Sequence, residues 1–142
     1  MVEKQELIDA LNEALSLEIG AIVQYLNHTY EIMGPFRDAL TGELSGFSKQ
    51  EMNHMEYLSN KIVALGGDPT TKPAPIHTSH NMMEMLQQDL DGENRAIDHY
   101  MKVLGMAEEV RDVDLKKTLE DIISVEIGHR EELEKLMKQT NM

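Results

Sequence analysis

Apolar residues recur every three or four positions in four stretches of the chain, which is the spacing of one face of an α-helix. Gly34 and Pro35 separate the first two stretches, since glycine ends helices and proline begins them. A Gly-, Pro- and Thr-rich segment, residues 66–80, separates the second from the third, where Asn81 and Glu84 form a candidate capping pair. The pattern predicts an all-α fold of four long helices, at about 3–32, 36–65, 81–108 and 112–139.

Six polar residues occupy positions in these apolar stripes where hydrophobic side chains are expected. They are Glu18, Glu51, His54, Glu93, Glu126 and His129. Four of them form two Glu-x-x-His tetrapeptides, "EMNH" at 51–54 and "EIGH" at 126–129. With 17 Glu and six His in the chain, composition alone predicts roughly 0.7 such matches, so one tetrapeptide would carry no weight. Their place on the inward face of a helix is what makes them candidates.

The two halves of the chain are similar when one is shifted by 75 residues, so the chain resembles a duplicated helical hairpin. In each half a first glutamate, Glu18 or Glu93, precedes the glutamate of Glu-x-x-His by 33 residues. The midpoint of the first pair falls between Gly34 and Pro35. In an antiparallel hairpin that turns there, both glutamates lie at the same height. The midpoint of residues 51 and 93 is Lys72, inside the segment 66–80, so all six polar residues are expected at one level of the bundle.

The segment 66–80 is long enough to decide between two bundle topologies. Its fifteen residues could span about 50 Å when extended, and a helix of 28 residues is about 42 Å long. The segment can therefore run the length of the bundle, which permits parallel second and third helices joined by a crossover as well as a simple up-down-up-down order.

Length and composition limit the class of protein. A chain of 142 residues fits a single domain, 1–142. It contains no cysteine, which excludes disulfides, thiolate metal sites and cysteine nucleophiles. The net charge of −13 argues against nucleic acid as a partner. Because no stretch resembles a signal peptide or membrane span, we expect a cytoplasmic protein with no membrane association.

Four carboxylates that face one another inside a bundle raise each other's pKa, and burial disfavours their charged forms further. Two divalent cations would balance four carboxylates. Carboxylate oxygens with one imidazole per ion suit iron or manganese, and zinc also accepts them. Such a pair would leave positions open for oxygen or peroxide. A single buried Glu or His is as often a hydrogen-bonded core residue as it is a metal ligand. Six such residues at matched heights favour a metal site.

Four stretches carry a resemblance to a known family: "LSLEIGAIVQY", "EMNHMEYLSNKIVALGGDP", "EMLQQDLDGENRAI" and "SVEIGHREELE". The chain resembles the ferritin-like di-iron carboxylate proteins, most of all the bacterioferritins, in which two helices each give a Glu and two give Glu-x-x-His. The resemblance implies a ferritin-like four-helix bundle with a long crossover between helices 2 and 3. It also implies a ferroxidase-type protein that binds two iron(II) ions and oxidises them with oxygen or peroxide.

The resemblance further assigns a role to each ligand. Glu51 and Glu126 would bridge the two metals. Glu18 and His54 would complete one ion, and Glu93 and His129 the other.

Three more residues have candidate roles by the same resemblance. Tyr25 and Tyr100 each follow a ligand glutamate by seven residues, so they could hydrogen-bond to the site, donate single electrons or simply pack. Met52 stands where bacterioferritins carry a haem ligand shared across a dimer two-fold axis. In a chain with eleven methionines, an apolar interface contact is favoured over haem binding.

The chain also departs from the family. Thirteen residues follow His129, too few to complete helix 4 and add the fifth helix that helps to close the bacterioferritin shell. This departure places the bacterioferritin cage in doubt, so we expect a homodimer, with a larger homo-oligomer such as a smaller shell as the alternative.

Two rival functions remain open. A rubrerythrin-like peroxidase would usually add a Cys-rich segment and another carboxylate one turn after Glu93, where this chain has Ala96. A non-catalytic structural bundle would use the polar layer only to fix helix register.

Four other histidines are expected at the solvent-exposed surface: His28, His77, His80 and His99.

Overall fold

The computed structural model describes residues 1–138 and contains four helices in that range. They are α1 (Lys4–Glu31), α2 (Arg37–Ala64), α3 (Met82–Glu109) and α4 (Val113–Met137). Helices α1 and α2 form one antiparallel hairpin and α3 and α4 the other, and the hairpins pack mainly through α1 against α3. Helices α2 and α4 approach each other least closely of the neighbouring pairs. The predicted all-α four-helix bundle is confirmed.

The crossover between α2 and α3 runs along the outer face of α1. Asn12 donates from Nδ2 to the carbonyl of Asp68 (3.0 Å), and the amide of Ala74 donates to the carbonyl of Ser16 (2.8 Å). A Cβ atom at Gly20 would lie 3.0 Å from the Ala74 carbonyl oxygen, so the close approach depends on glycine. Of the two topologies that the sequence left open, the structure has the crossover one, with α2 parallel to α3.

Helix ends follow the capping signals in two of the four helices. Asn81 caps α3 by accepting a hydrogen bond from the amide of Glu84 (2.9 Å), as the sequence predicted. Asp112 caps α4 in the same way through the amide of Leu115 (3.0 Å). Helix α2 begins at Arg37, because Pro35 and Phe36 form the turn before it. The end at 139 that the sequence predicted for the fourth helix lies outside the described residues.

Two apolar clusters form the core, one on each side of a polar layer. One is built around Leu11, Leu58 and Leu119, and the other around Leu44 and Leu86. All five side chains are fully buried. Because burial of one Leu stabilises a fold by about 1.5–3 kcal/mol, these clusters can offset the cost of the polar layer between them.

The buried face of α3 includes a carboxylate that the sequence analysis did not single out, that of Asp89. Met85 and Val103 are also buried on this face, whereas Met83 and Leu104 are only partly buried.

None of the helices among residues 1–138 is both apolar and long enough to cross a membrane.

Candidate metal centre

The six polar residues that the sequence singled out lie together in the middle of the bundle. They form two overlapping groups whose candidate ligand atoms lie within 4.8 Å of one another: Glu18, Glu51, His54 and Glu126, and Glu51, Glu93, Glu126 and His129. All six side chains are buried. Glu51 and Glu126 belong to both groups.

Both imidazoles face the carboxylates through Nδ1. Nδ1 of His54 lies 2.9 Å from Oε2 of Glu18, 3.1 Å from Oε1 of Glu126 and 3.4 Å from Oε1 of Glu51. Nδ1 of His129 lies 3.3 Å from Oε1 of Glu93 and 3.6 Å from Oε1 of Glu51. The Glu-x-x-His spacing produces this arrangement, because residues three apart share a helical face.

The carboxylates have far fewer hydrogen-bond partners than their burial requires. Within the described residues, no donor meets hydrogen-bond geometry at six of their eight oxygens: Oε1 of Glu18, Oε2 of Glu93 and both oxygens of Glu51 and Glu126. Each unsatisfied buried polar atom costs about 1–3 kcal/mol. Oxygen donors in this number, with one imidazole nitrogen for each group, fit a pair of iron, manganese or zinc ions.

Without a bound cation, the buried groups of the cluster are more stable in their protonated forms. Burial, with the charge of a neighbouring glutamate, raises the pKa of Glu18, Glu51 and Glu126 from 4.5 to about 8 each. The same causes raise the pKa of Glu93 well above its usual range. Burial lowers the pKa of His54, but its carboxylate partners outweigh burial and raise the pKa to about 12. A divalent cation would therefore compete with protons for these groups.

Two buried tyrosines adjoin the cluster at positions related by the 75-residue shift. Tyr25 donates its hydroxyl hydrogen to Oε1 of Glu93 (2.5 Å). The hydroxyl of Tyr100 is buried without a hydrogen-bond partner among the described residues, and burial together with the charge of Glu18 raises its pKa. Of the roles that the sequence left open for them, hydrogen bonding to the site is observed for Tyr25.

A cavity of about 310 Å³ leads away from the cluster between α1, α3 and the crossover. Glu51 and Glu93 are among the lining residues at its inner end, and Pro75 and His77 of the crossover line its outer part. The carboxylate of Asp89 also lines this cavity.

The prediction of an exposed His28 is wrong, because this side chain is fully buried. Its Nδ1 lies 2.9 Å from Oδ2 of Asp89, and its Nε2 lies 3.1 Å from the carbonyl oxygen of His77. Gln24 completes the network by donating to Oδ1 of Asp89 (2.9 Å). Sequence reasoning missed this network, although Asp89 precedes Glu93 by four residues and so shares its helical face.

The other predicted surface residues divide into two groups. His77 and His80 are exposed, as predicted, and Met52 is 40% exposed on the outer face of α2. The prediction of an exposed His99 is wrong, since its side chain is only 12% exposed. One of its ring nitrogens, Nε2, lies 2.8 Å from the carbonyl oxygen of Ala10, which fixes the ring between α1 and α3.

Comparison with known proteins gives consistent matches. The family model of the ferritin-like domain matches residues 8–142. A bacterioferritin of Desulfovibrio desulfuricans is 31% identical over 127 residues, which cover 89% of this chain and 71% of that protein. A bacterioferritin of Rhodobacter capsulatus is 32% identical over 131 residues, with coverages of 91% and 81%. A crystal structure described as ferritin-like, diiron-carboxylate proteins from Bacillus anthracis superposes with a TM-score of 0.94 at 34% identity, over 97% of this chain and 100% of that one.

Proposed function

The chain belongs to the ferritin-like domain family, and we propose that it binds two iron(II) ions in the buried cluster and oxidises them with oxygen or peroxide. The observation that supports this most strongly is the set of six buried carboxylate oxygens that accept no hydrogen bond from residues 1–138. Those atoms need cations or protons to be stable in the core. The bacterioferritins and the diiron-carboxylate structure to which the chain is similar support iron as the cation.

We assign the ligands by their membership of the two groups. Glu51 and Glu126 belong to both and would be shared by the two ions. Glu18 and His54 would hold one ion, and Glu93 and His129 the other. Four carboxylates neutralise two divalent cations, which removes the like-charge repulsion that raises their pKa values.

The reaction needs two electrons for each molecule of oxidant. Each iron(II) gives up one electron, and the pair reduces oxygen to peroxide, or peroxide to water, with protons taken from the solvent. The protein residues hold the two ions side by side so that both electrons leave together. Tyr25 donates its hydroxyl hydrogen to Oε1 of Glu93, which leaves Oε2 of that carboxylate for a metal. We propose the cavity under the crossover as the route by which ions and oxidant enter.

An anaerobic titration with iron(II) tests the proposal. Binding should saturate near two ions per chain. It should also release protons at pH 7, because carboxyl groups with a pKa of about 8 are mostly protonated there. Admission of air should then convert the bound iron(II) to iron(III). Near-ultraviolet absorbance measures this conversion. A chain with both Glu51→Gln and Glu126→Gln is the matched control, and saturable binding that is equal in both proteins would contradict the assignment.

The remaining expectations about the whole protein are also proposals. We propose that residues 1–142 act as one domain in the cytoplasm and assemble as a homodimer, with a larger homo-oligomer as the alternative. Light scattering on a sizing column measures the assembly, and only a hollow assembly could store an iron mineral. Metal analysis of the purified protein by mass spectrometry distinguishes iron from manganese and zinc.

A further inference from the structure

The two candidate metal positions have the same ligand types but different supports around their histidines. Two residues of α2 contact the outer side of the His129 ring. The ring of Phe47 stacks on it, with centroids 4.2 Å apart and an interplanar angle of 27°. Oε1 of Gln50 accepts a hydrogen bond from Nε2 of His129. These contacts join α2 to α4, which approach each other least closely of the neighbouring helix pairs.

His54 lacks equivalent supports. The 75-residue shift relates Phe47 to Ile122 and Gln50 to Val125. Neither aliphatic side chain offers an aromatic ring or a hydrogen-bond acceptor. Within residues 1–138, Nδ1 of His54 contacts three carboxylates, and its Nε2 has no acceptor comparable to Gln50.

We propose that Gln50 is a positioning residue that makes the metal position of Glu93 and His129 bind more tightly than that of Glu18 and His54. The amide oxygen keeps a hydrogen on Nε2, so the lone pair of the neutral imidazole is on Nδ1, the atom that faces the carboxylates. Stacking on Phe47 holds the ring in that orientation. The inference rests on the proposed function, because it concerns the same ligands.

The size of the effect follows from the behaviour of histidine ligands in general. Removal of a hydrogen-bond partner from the distal nitrogen of such a ligand typically weakens metal binding by about 10- to 100-fold. Gln50 is exposed and forms no part of either apolar cluster, so its replacement should leave the fold intact.

Cobalt(II) alone is the probe, because its visible absorption reports binding and it does not require oxygen to be excluded. The parent should bind two ions in two unequal steps. Gln50→Leu should weaken the tighter step at least tenfold, so that the two steps become similar. Gln50→Glu, which keeps an acceptor oxygen, should restore the inequality. Gln87→Leu is the matched control, since Gln87 is exposed on α3 and its amide donates to Asp91, one turn away and far from the metal ligands.

Two further measurements separate positioning from a general structural effect. Val125→Gln places the acceptor at the equivalent point of the other half and should strengthen the weaker step. In the NMR spectrum of the cobalt(II) protein, the exchangeable Nε2 hydrogen of His129 should give a shifted signal that disappears in Gln50→Leu. Melting temperatures of the metal-free variants should stay within a few degrees of the parent.

The results also distinguish this inference from the proposed function. If the parent binds two cobalt(II) ions and Gln50→Leu leaves both steps unchanged, or weakens both equally, the positioning role is wrong and the metal site stands. If the parent shows no saturable binding, both proposals are wrong.

Discussion

The double substitution Glu51→Gln with Glu126→Gln should make the metal-free protein more stable and remove its stabilisation by metal. Glutamine has nearly the same shape as glutamate but no charge at neutral pH. Its amide hydrogens can bond to the carboxylates of Glu18 and Glu93, each of which has one oxygen without a hydrogen-bond partner in the described part of the chain. The substitution therefore removes repulsion without creating a cavity.

The expected size follows from the pKa of the two groups. Each has a pKa of about 8 in the folded chain and an ordinary value of 4.5. At pH 7 the folded chain must therefore hold a proton that the unfolded chain releases. Over the 2.5 pH units from 4.5 to 7 this costs about 3 kcal/mol for one group. Removal of the second carboxylate adds less to the free energy of unfolding, because each carboxylate raises the pKa of the other. An increase on the order of 10 °C in melting temperature is expected.

The sign of the pH dependence gives a second readout. A carboxyl group whose pKa is raised on folding contributes no penalty below the unfolded pKa, and its penalty grows until the pH reaches the folded pKa. These glutamates should therefore lower the stability of the metal-free parent as the pH rises from about 4.5 to about 8. The raised pKa of His54 should make the fall continue above pH 8, because the folded chain still holds a proton there that the unfolded chain has released. The variant should show a smaller fall, and the two proteins should converge near pH 4.5.

Thermal unfolding, measured by circular dichroism at several pH values, gives the difference in melting temperature and its pH dependence. The same measurement with manganese(II) gives the stabilisation by metal. Two ions at a hundredfold excess over their dissociation constants should stabilise the parent by about 5 kcal/mol. The double variant should show no such gain. A metal-free variant that is less stable than the parent at pH 7 would refute the reasoning, because it would mean that the charged carboxylates are satisfied by the protein itself. Equal stabilisation of both proteins by manganese(II) would refute the ligand assignment.

Three other substitutions test single features of the structure. Tyr25→Phe removes the hydrogen bond to Glu93 and should lower the free energy of unfolding of the metal-free protein by about 1 kcal/mol, measured by urea titration. His28→Ala leaves the buried carboxylate of Asp89 without its main partner and should cost about 3–5 kcal/mol in the same assay. Met52→Leu should leave the assembly mass and the iron stoichiometry unchanged, since we expect an apolar contact there; a haem absorption band in the parent that the variant lacks would contradict this.

The sequence was sufficient to bring the six candidate ligands together because their positions depend on one periodicity and one sequence separation. The 3.6-residue period places each of them on an inward face. The 33-residue separation and the turn at Gly34 set Glu18 and Glu51 at one height. Both are properties of single helices and hairpins, so they can be deduced without knowledge of how the hairpins pack.

The features that the sequence did not reveal all depend on packing between helices. His28 was expected at the surface because polar residues outside the inward stripe usually face solvent. It is buried because the crossover covers α1 and Asp89 of α3 pairs with it. The contact of Gln50 with His129 depends on the spacing of α2 and α4, which no pattern along either helix specifies.

The duplication itself explains why these missed contacts matter for function. Because both halves supply Glu and Glu-x-x-His, the ligands alone would make two equivalent metal positions. Any difference between the positions must therefore come from residues that differ between the halves, and such residues lie beside the ligands. Gln50 and Val125 are one such pair, each directly before a shared glutamate.

A reaction that takes one electron from each of two ions needs both positions filled at once, so the weaker position determines the iron concentration at which oxidation begins. Strengthening that position with Val125→Gln should lower this concentration.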